Sequence, residues 1–274
     1  MPSSTVPLVV GYVPGRTERA RIAGALRGRA RVQWAESMAE LRSTVRRHRG
    51  PIAAVFVAPR DATGATAGPV VRDLATVAPN VPVIAYCRTG IEHSRDIRAL
   101  AAAGVHEFLF VGVDDAGAAV RTVLASAQRA CAVEAVLAAL RPRIPESLHP
   151  LAEYGVAHPD HARSVAAMAA MLGVHRKTLF NHCRRAGAPA PAELLTWCRL
   201  LLAAHMLATT ASTVEAVAMD LEFPSDTALR NTMKRYTGQR ASDVRRRGGL
   251  SYVLGEFSNR MKETSARPAD APSN

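Results

Sequence analysis

Two short segments carry side chains able to read a nucleic acid. In the first, Lys177, Phe180, Asn181 and Arg184 fall at i, i+3, i+4 and i+7, so a helix sets them on one face. Leu179 and Cys183, four apart and apolar, lie on another face and point to a core. In the second, Thr227, Arg230, Asn231 and Lys234 repeat the pattern, with Leu229, Met233 and Tyr236 as the apolar stripe. Arg pairs bidentately with guanine, and Asn with adenine, in the major groove of DNA. Arg184, Arg185, Lys234 and Arg235 stand near the helix ends and suit phosphates. Asp226 places an acid toward the same groove, where it repels phosphate or accepts from a cytosine amine. Phe180 is the odd member, and touches a thymine methyl or packs on a neighbouring helix. The plain alternative is two solvated amphipathic faces. It explains one such helix better than two in the same register, with Leu179 and Leu229 fifty residues apart.

The elements that position these faces are helical. From Ser164 onward no strand pattern appears. Ser164 is placed to cap a helix over Val165–Leu172, and Gly173 suits its left-handed end. A second helix follows from about His175 to Gly187, which makes helix, tight turn, helix. The design recurs: Ser212-x-x-Glu215 reads as a capping box opening Val214–Leu221, Phe223-Pro224-Ser225 makes the turn, and a helix runs Asp226–Tyr236. After Gly248, Tyr252, Val253, Phe257 and Met261 mark a packing helix, and the end SARPADAPSN reads as disordered.

The first half alternates strand and helix. Near-continuous apolar runs (VPLVVGYV at 6–13, Ile52–Ala58, Val81–Cys87 and Val105–Val111) read as strands, with a further short strand around Ala30–Trp34. Between them lie helices at 17–28, from Ser37 to His48, Val70–Val77 and Ile91–Ala103, with a long helix from Asp114 to Leu140. Five strand–helix repeats in about 130 residues predict a flavodoxin-like, doubly wound α/β domain with strand order 2-1-3-4-5. Four prolines within 141–163 break the long helix, and His149, His158 and His161 read as linker polarity. The expected organisation is therefore a (βα)5 domain at 1–130, a helical extension and Pro-rich linker at 131–163, an all-α double helix-turn-helix at 164–248, and a tail at 249–274.

The segments PIAAVFVAP, VPVIAYC and AGVHEFLFV resemble the third, fourth and fifth strands of bacterial response-regulator receiver domains. That family implies an acidic cluster for Mg²⁺ after strand one, a nucleophilic Asp, a Ser/Thr and a Lys. Here Tyr12, Val13, Pro14 and Gly15 follow strand one, and Val57, Cys87 and Val111 take the other three positions. Without the carboxylate there is no acyl-phosphate acceptor, so a pseudo-receiver is expected. Asp61, in the loop after strand three, keeps a phosphorylated response regulator open as an alternative. The helical half resembles the DNA-binding domain of AraC-type transcriptional regulators. The carrying segments are SVAAMAAMLGVHRKTLFNHCRRAG, APAELLTWCRLLLAAHML and STVEAVAMDLEFPSDTALRNTMKRYTGQRASDVR. That resemblance implies two recognition helices in adjacent major-groove segments, with Lys177, Phe180, Asn181, Asp226, Thr227, Arg230 and Asn231 at base-reading positions. Glu222 stands where the family usually has the turn Gly, at a cost of about 1 kcal/mol if left-handed.

Composition bounds the rest. The chain has 274 residues, 35 Lys+Arg against 23 Asp+Glu, and a formal charge of +12. Such an excess favours a polyanionic partner, here double-stranded DNA. Yet residues 1–130 hold 17 basic and 10 acidic residues, and 131–274 hold 18 and 13, so charge alone does not locate the interface. No run approaches a membrane span and the start MPSSTVPLVV lacks a signal-peptide pattern, so a cytoplasmic protein with no membrane partner is expected. Cys87, Cys131, Cys183 and Cys198 read as reduced, buried thiols. A zinc site from Cys183, Cys198 and His205 lacks ligand spacing, so no metal and no cofactor are expected. No nucleophile–base pair appears, so an enzyme is not expected. A homodimer, with a small-molecule or protein effector on the first domain, completes the expectation. The remaining alternative is a ligand- or partner-binding module that no longer binds DNA.

Overall fold

The computed structural model describes residues 6–114, 116–159, 164–210 and 212–266, and the chain divides into two compact units near Ala132. In the first unit the order is β1 (Leu8–Tyr12), α1 (Arg16–Ala25), β2 (Arg31–Trp34), α2 (Met38–Arg47), β3 (Ile52–Val57), α3 (Gly68–Val77), β4 (Val83–Cys87), α4 (Ser94–Ala102) and β5 (Glu107–Phe110), followed by α5 (Gly117–Leu140), which begins in this unit and ends in the second. The five strands are parallel and ordered β2-β1-β3-β4-β5, as the alternation predicts. All of β1, β3 and β4 is buried, because helices cover both faces of the sheet. Leu41, Val55, Leu74 and Leu100 fill one face, and Val9, Ile22, Phe56 and Leu109 the other. The edge strand β2 lies close on β1: a Cβ at Gly11 would stand 2.4 Å from Trp34 Cζ3. Ser37 caps α2 as expected, its Oγ accepting from Glu40 N at 3.1 Å. The expected helix from Ile91 opens with a tighter 3₁₀ turn, Ile91–His93, before α4.

The helix α5 corrects one expectation. Among the described residues, Gly117–Arg143 is long and apolar enough, by length and composition, to cross a membrane. Arg121, Arg129 and Glu134 interrupt every long apolar run, but alanine keeps the average high. Val120, Ala127, Cys131, Ala132, Val136 and Leu140 are buried within the protein, as in a core-facing helix.

The second unit is all helical: α6 (His149–Ala157), α7 (Val165–Met171), α8 (Arg176–Arg185), α9 (Pro191–Thr209), α10 (Val214–Asp220), α11 (Asp226–Thr237), α12 (Ala241–Arg246) and α13 (Leu250–Ser265). The expected Pro-rich linker instead contains α6, with Leu151, Ala152, Tyr154, Gly155 and Val156 buried. Pro150 sits in its first turn, where a missing N–H costs nothing. A Cβ at Gly155 would lie 3.0 Å from Cys198 Sγ and Leu195 Cδ2, so α6 packs closely on α9. His149 and His158 are part of this structure: His149 Nε2 is 3.3 Å from the Arg141 carbonyl, and the His158 ring is 5.2 Å from that of Tyr154. His161 lies outside the described residues, as do positions 267–274 of the expected disordered end. Helix α13 is the expected packing helix, with Val253, Phe257 and Met261 buried and Tyr252 Oη donating to the Thr237 carbonyl at 2.9 Å.

Candidate nucleic-acid interface

Each candidate face is built by the same local devices. Ser164 Oγ accepts from Ala167 N at 3.1 Å and starts α7. The helix closes with Gly173 N donating to Ala170 O and Val174 N donating to Ala169 O, which needs a left-handed residue at 173, and Gly173 has φ +64°. His175 then caps α8, its Nδ1 accepting from Lys177 N at 3.2 Å. In the second copy the capping residue is Thr213, not Ser212: Thr213 Oγ1 accepts from Ala216 N at 3.1 Å. The expected box does not form, since Ala216 and not Glu215 then stands three residues after the cap; the Ser212 carbonyl accepts from Arg245 at 2.7 Å. Helix α10 ends with the same pair of bonds, Glu222 N to Met219 O and Phe223 N to Ala218 O. Glu222 therefore takes the left-handed position, with φ +53°, the one non-glycine positive φ among the described residues. Ser225 Oγ caps α11 by accepting from Ala228 N at 3.0 Å.

Counted from their capping residues, α8 and α11 are in one register. His175 and Ser225 are followed at equal offsets by Leu179 and Leu229, then by Cys183 and Met233, all four buried. Lys177 and Thr227, Arg184 and Lys234, and Phe180 and Arg230 occupy matched exposed positions. Asn231 is exposed, and Asn181 is half-buried. Phe180 is 46% exposed, so it is not absorbed by a neighbouring helix. Arg184 Nη2 donates to Asn181 Oδ1 at 3.3 Å, and Arg185 is exposed beside it. Asp226 is not a free acid at the face. Its Oδ1 accepts from Thr227 N at 2.7 Å and its Oδ2 from Arg230 Nε at 3.1 Å, so the carboxylate orients Arg230. Tyr236, read as core, is half-buried, with its ring edge-on to Trp197 at 5.1 Å. Arg235, read as a phosphate contact, lies over the Tyr236 ring at 5.2 Å.

The helix α9 joins the two halves and is buried almost all round, from Leu194 to Leu207. It carries a residue that periodicity alone does not single out. Arg199 is 8% exposed, donates to the Leu221 carbonyl at 2.8 Å, and lies 3.9 Å over the Phe223 ring. It thus grips both neighbours of Glu222. Burial pushes the thiols of Cys183 and Cys198 up to about 11 and about 12, and pushes the His205 imidazole down to about 4. Among the described residues no three His, Cys, Asp or Glu converge as metal ligands.

In the first unit, the carboxyl ends of β1, β3 and β4 carry Tyr12, Val57 and Cys87, all buried. Asp61 lies in the loop beyond β3. Its Oδ1 accepts from Thr63 N at 2.9 Å, Thr63 Oγ1 at 2.6 Å and Ala65 N at 3.0 Å. The Thr63 side chain, then the surrounding amides, hold its carboxyl below the usual aspartate value.

Residues 168–247 match the family described as a helix-turn-helix domain. No curated protein matches the sequence. Among solved structures, the chain is similar to an adenylate cyclase from Rhodopirellula baltica at 17% identity, over 48% of this chain and 96% of that one, with a TM-score of 0.38. It is similar to full-length FixJ from B. japonicum at 14% identity, over 79% and 97%, with a TM-score of 0.39. It is also similar to the response regulator StyR at 14% identity, over 70% and 97%, with a TM-score of 0.32. The second unit thus carries a helix-turn-helix domain, and the first unit is a five-stranded parallel α/β fold.

Proposed function

We propose that the protein reads a specific DNA sequence by laying α8 and α11 in successive major-groove segments. Lys177, Phe180, Asn181, Thr227, Arg230 and Asn231 face base edges, with Asp226 setting the Arg230 fork. Arg184, Arg185 and Lys234 take phosphates. The observation that carries this reading is the common register of the two capped helices, each with a buried stripe behind a polar, cationic face. The work is binding rather than catalysis, in the compartment that holds the DNA. The receiver-like unit regulates without accepting a phosphoryl group, since Val57 stands at the acceptor position and the Asp61 oxygen is engaged by its own loop. A homodimer presents two such DNA-binding units, and an effector on the first unit sets their activity.

The test is fluorescence anisotropy of the full chain on the duplex upstream of its own coding sequence and on random duplex, across a salt series. The expected result is specific binding roughly 10³-fold or more tighter than random, with log affinity falling linearly in log salt. Equal affinity for both duplexes contradicts the reading.

A further inference from the structure

A cleft of about 480 Å³ opens at the carboxyl ends of the strands in the first unit. It spans the point where the strand order reverses between β1 and β3, the place where open α/β sheets receive ligands. Its apolar lining comes from Val13, Pro14, Ala58, Pro59 and Val111. Besides Tyr86, the side chains of Glu18, Arg60, Arg88, His93 and Asp96 stand round it, and their charges are not equally spent. Arg60 and Asp96 hold each other through two hydrogen bonds of 2.7 and 2.8 Å, and Arg60 Nη1 also donates to the Gly64 carbonyl at 2.8 Å. The Glu18 carboxylate folds over the start of α1, where a Cβ at Gly15 would overlap it, and so complements that helix's own dipole. Arg88 is different. Its side chain is 71% exposed, and its ion contact is to Glu18 at 3.8 Å, too long for a hydrogen bond. His93 stands on the same rim.

We propose that this cleft binds a small organic monoanion with a flat apolar body, the body on the Val13–Pro14–Ala58–Pro59–Val111 lining and the acid group on Arg88. The volume and the mostly apolar walls with the exposed Arg88 guanidinium at the rim fit a ligand site of that chemistry. An inorganic phosphoryl group would leave the apolar lining unused. The proposal rests on the reading that the first unit takes no phosphoryl group, and it does not depend on DNA recognition.

Equilibrium dialysis of the full chain against 2-naphthoate and its neutral isostere 2-naphthalenemethanol tests it. The acid is expected to bind about ten-fold more tightly than the alcohol. Arg88→Gln is expected to remove that difference while leaving the alcohol's affinity unchanged, because Arg88 is exposed and holds no fold contact within hydrogen-bond distance. Val111→Phe, which fills the cleft, is expected to weaken both ligands without changing the acid-over-alcohol ratio of what remains. Equal binding of acid and alcohol, binding of neither, or an unchanged preference in Arg88→Gln overturns the proposal. A separate incubation with Mg²⁺ and acetyl phosphate, read by intact mass, addresses the underlying reading. Gain of one phosphoryl group, lost in Asp61→Ala, overturns that reading whatever the naphthoate result.

Discussion

Replacing Arg199 by Met keeps a long unbranched stem in the core of the second unit and removes the guanidinium. The Leu221 carbonyl loses its donor at 2.8 Å and the Phe223 ring loses the cation 3.9 Å away. An abandoned buried carbonyl costs about 1–3 kcal/mol. A desolvated cation–π contact is worth about 2 kcal/mol. Burying a guanidinium is itself expensive, and the variant is relieved of that cost. We therefore expect a net loss of about 2–3 kcal/mol, a fall in Tm of roughly 5–10 °C. The two tryptophans make this measurable, because Trp34 lies in the first unit and Trp197 in the second. In a Trp34→Phe background, fluorescence-monitored urea unfolding reports the second unit through Trp197. Arg199→Lys, which keeps the charge but not the planar fork, is expected to fall between Met and Arg. A loss below about 1 kcal/mol for Arg199→Met, or full stability in Arg199→Lys, refutes the reasoning that the fork braces the turn.

Three further outcomes follow from the same geometry. Glu222→Gly relieves the left-handed strain of about 1–2 kcal/mol and adds about 0.5–1 kcal/mol of glycine entropy. It should stabilise the second unit by about 0.5–1 kcal/mol in the same unfolding assay. Arg230→Ala should lower discrimination between the preferred duplex and single-base variants, whereas Arg184→Ala should weaken all duplexes alike and reduce the salt slope by about 1, both read by anisotropy. His205 has its folded pKa lowered by burial from 6.5 to about 4, so between those values the unfolded chain binds a proton that the folded chain refuses. Stability should be full above pH 6.5 and fall as the pH drops toward 4, by roughly 3 kcal/mol, and His205→Leu should flatten that part of the pH–stability curve.

The strand order of the first unit was legible because β1, β3 and β4 are buried on both faces, and so read as unbroken apolar runs. Helices α8 and α11 were legible because Leu179/Cys183 and Leu229/Met233 keep their spacing while the polar faces repeat. Three features were hidden, each for a physical reason. Prolines signal breaks, but Pro150 falls in the first turn of α6, where it starts a helix. Ser212 and Thr213 are both good caps, so the sequence does not decide between them, and the structure uses Thr213. Arg199 looks like one more basic residue of a basic chain, and its contacts to Leu221 and Phe223 come from a turn some twenty residues on. Cleft and loop geometry around Arg88 and Asp61 likewise depend on strand ends far apart in sequence.

Whether α8 and α11 read adjacent groove segments is decided by selecting bound duplexes from a random library with the full chain and footprinting the enriched sequence with hydroxyl radical. The expected outcome is one enriched motif with two protected segments on one face of the duplex, about one helical turn (roughly 10 base pairs) apart. Asn181→Ala should abolish base preference in one segment, and Asn231→Ala in the other. Recovery of no enriched motif, or of a motif whose base preferences neither variant changes, contradicts the account.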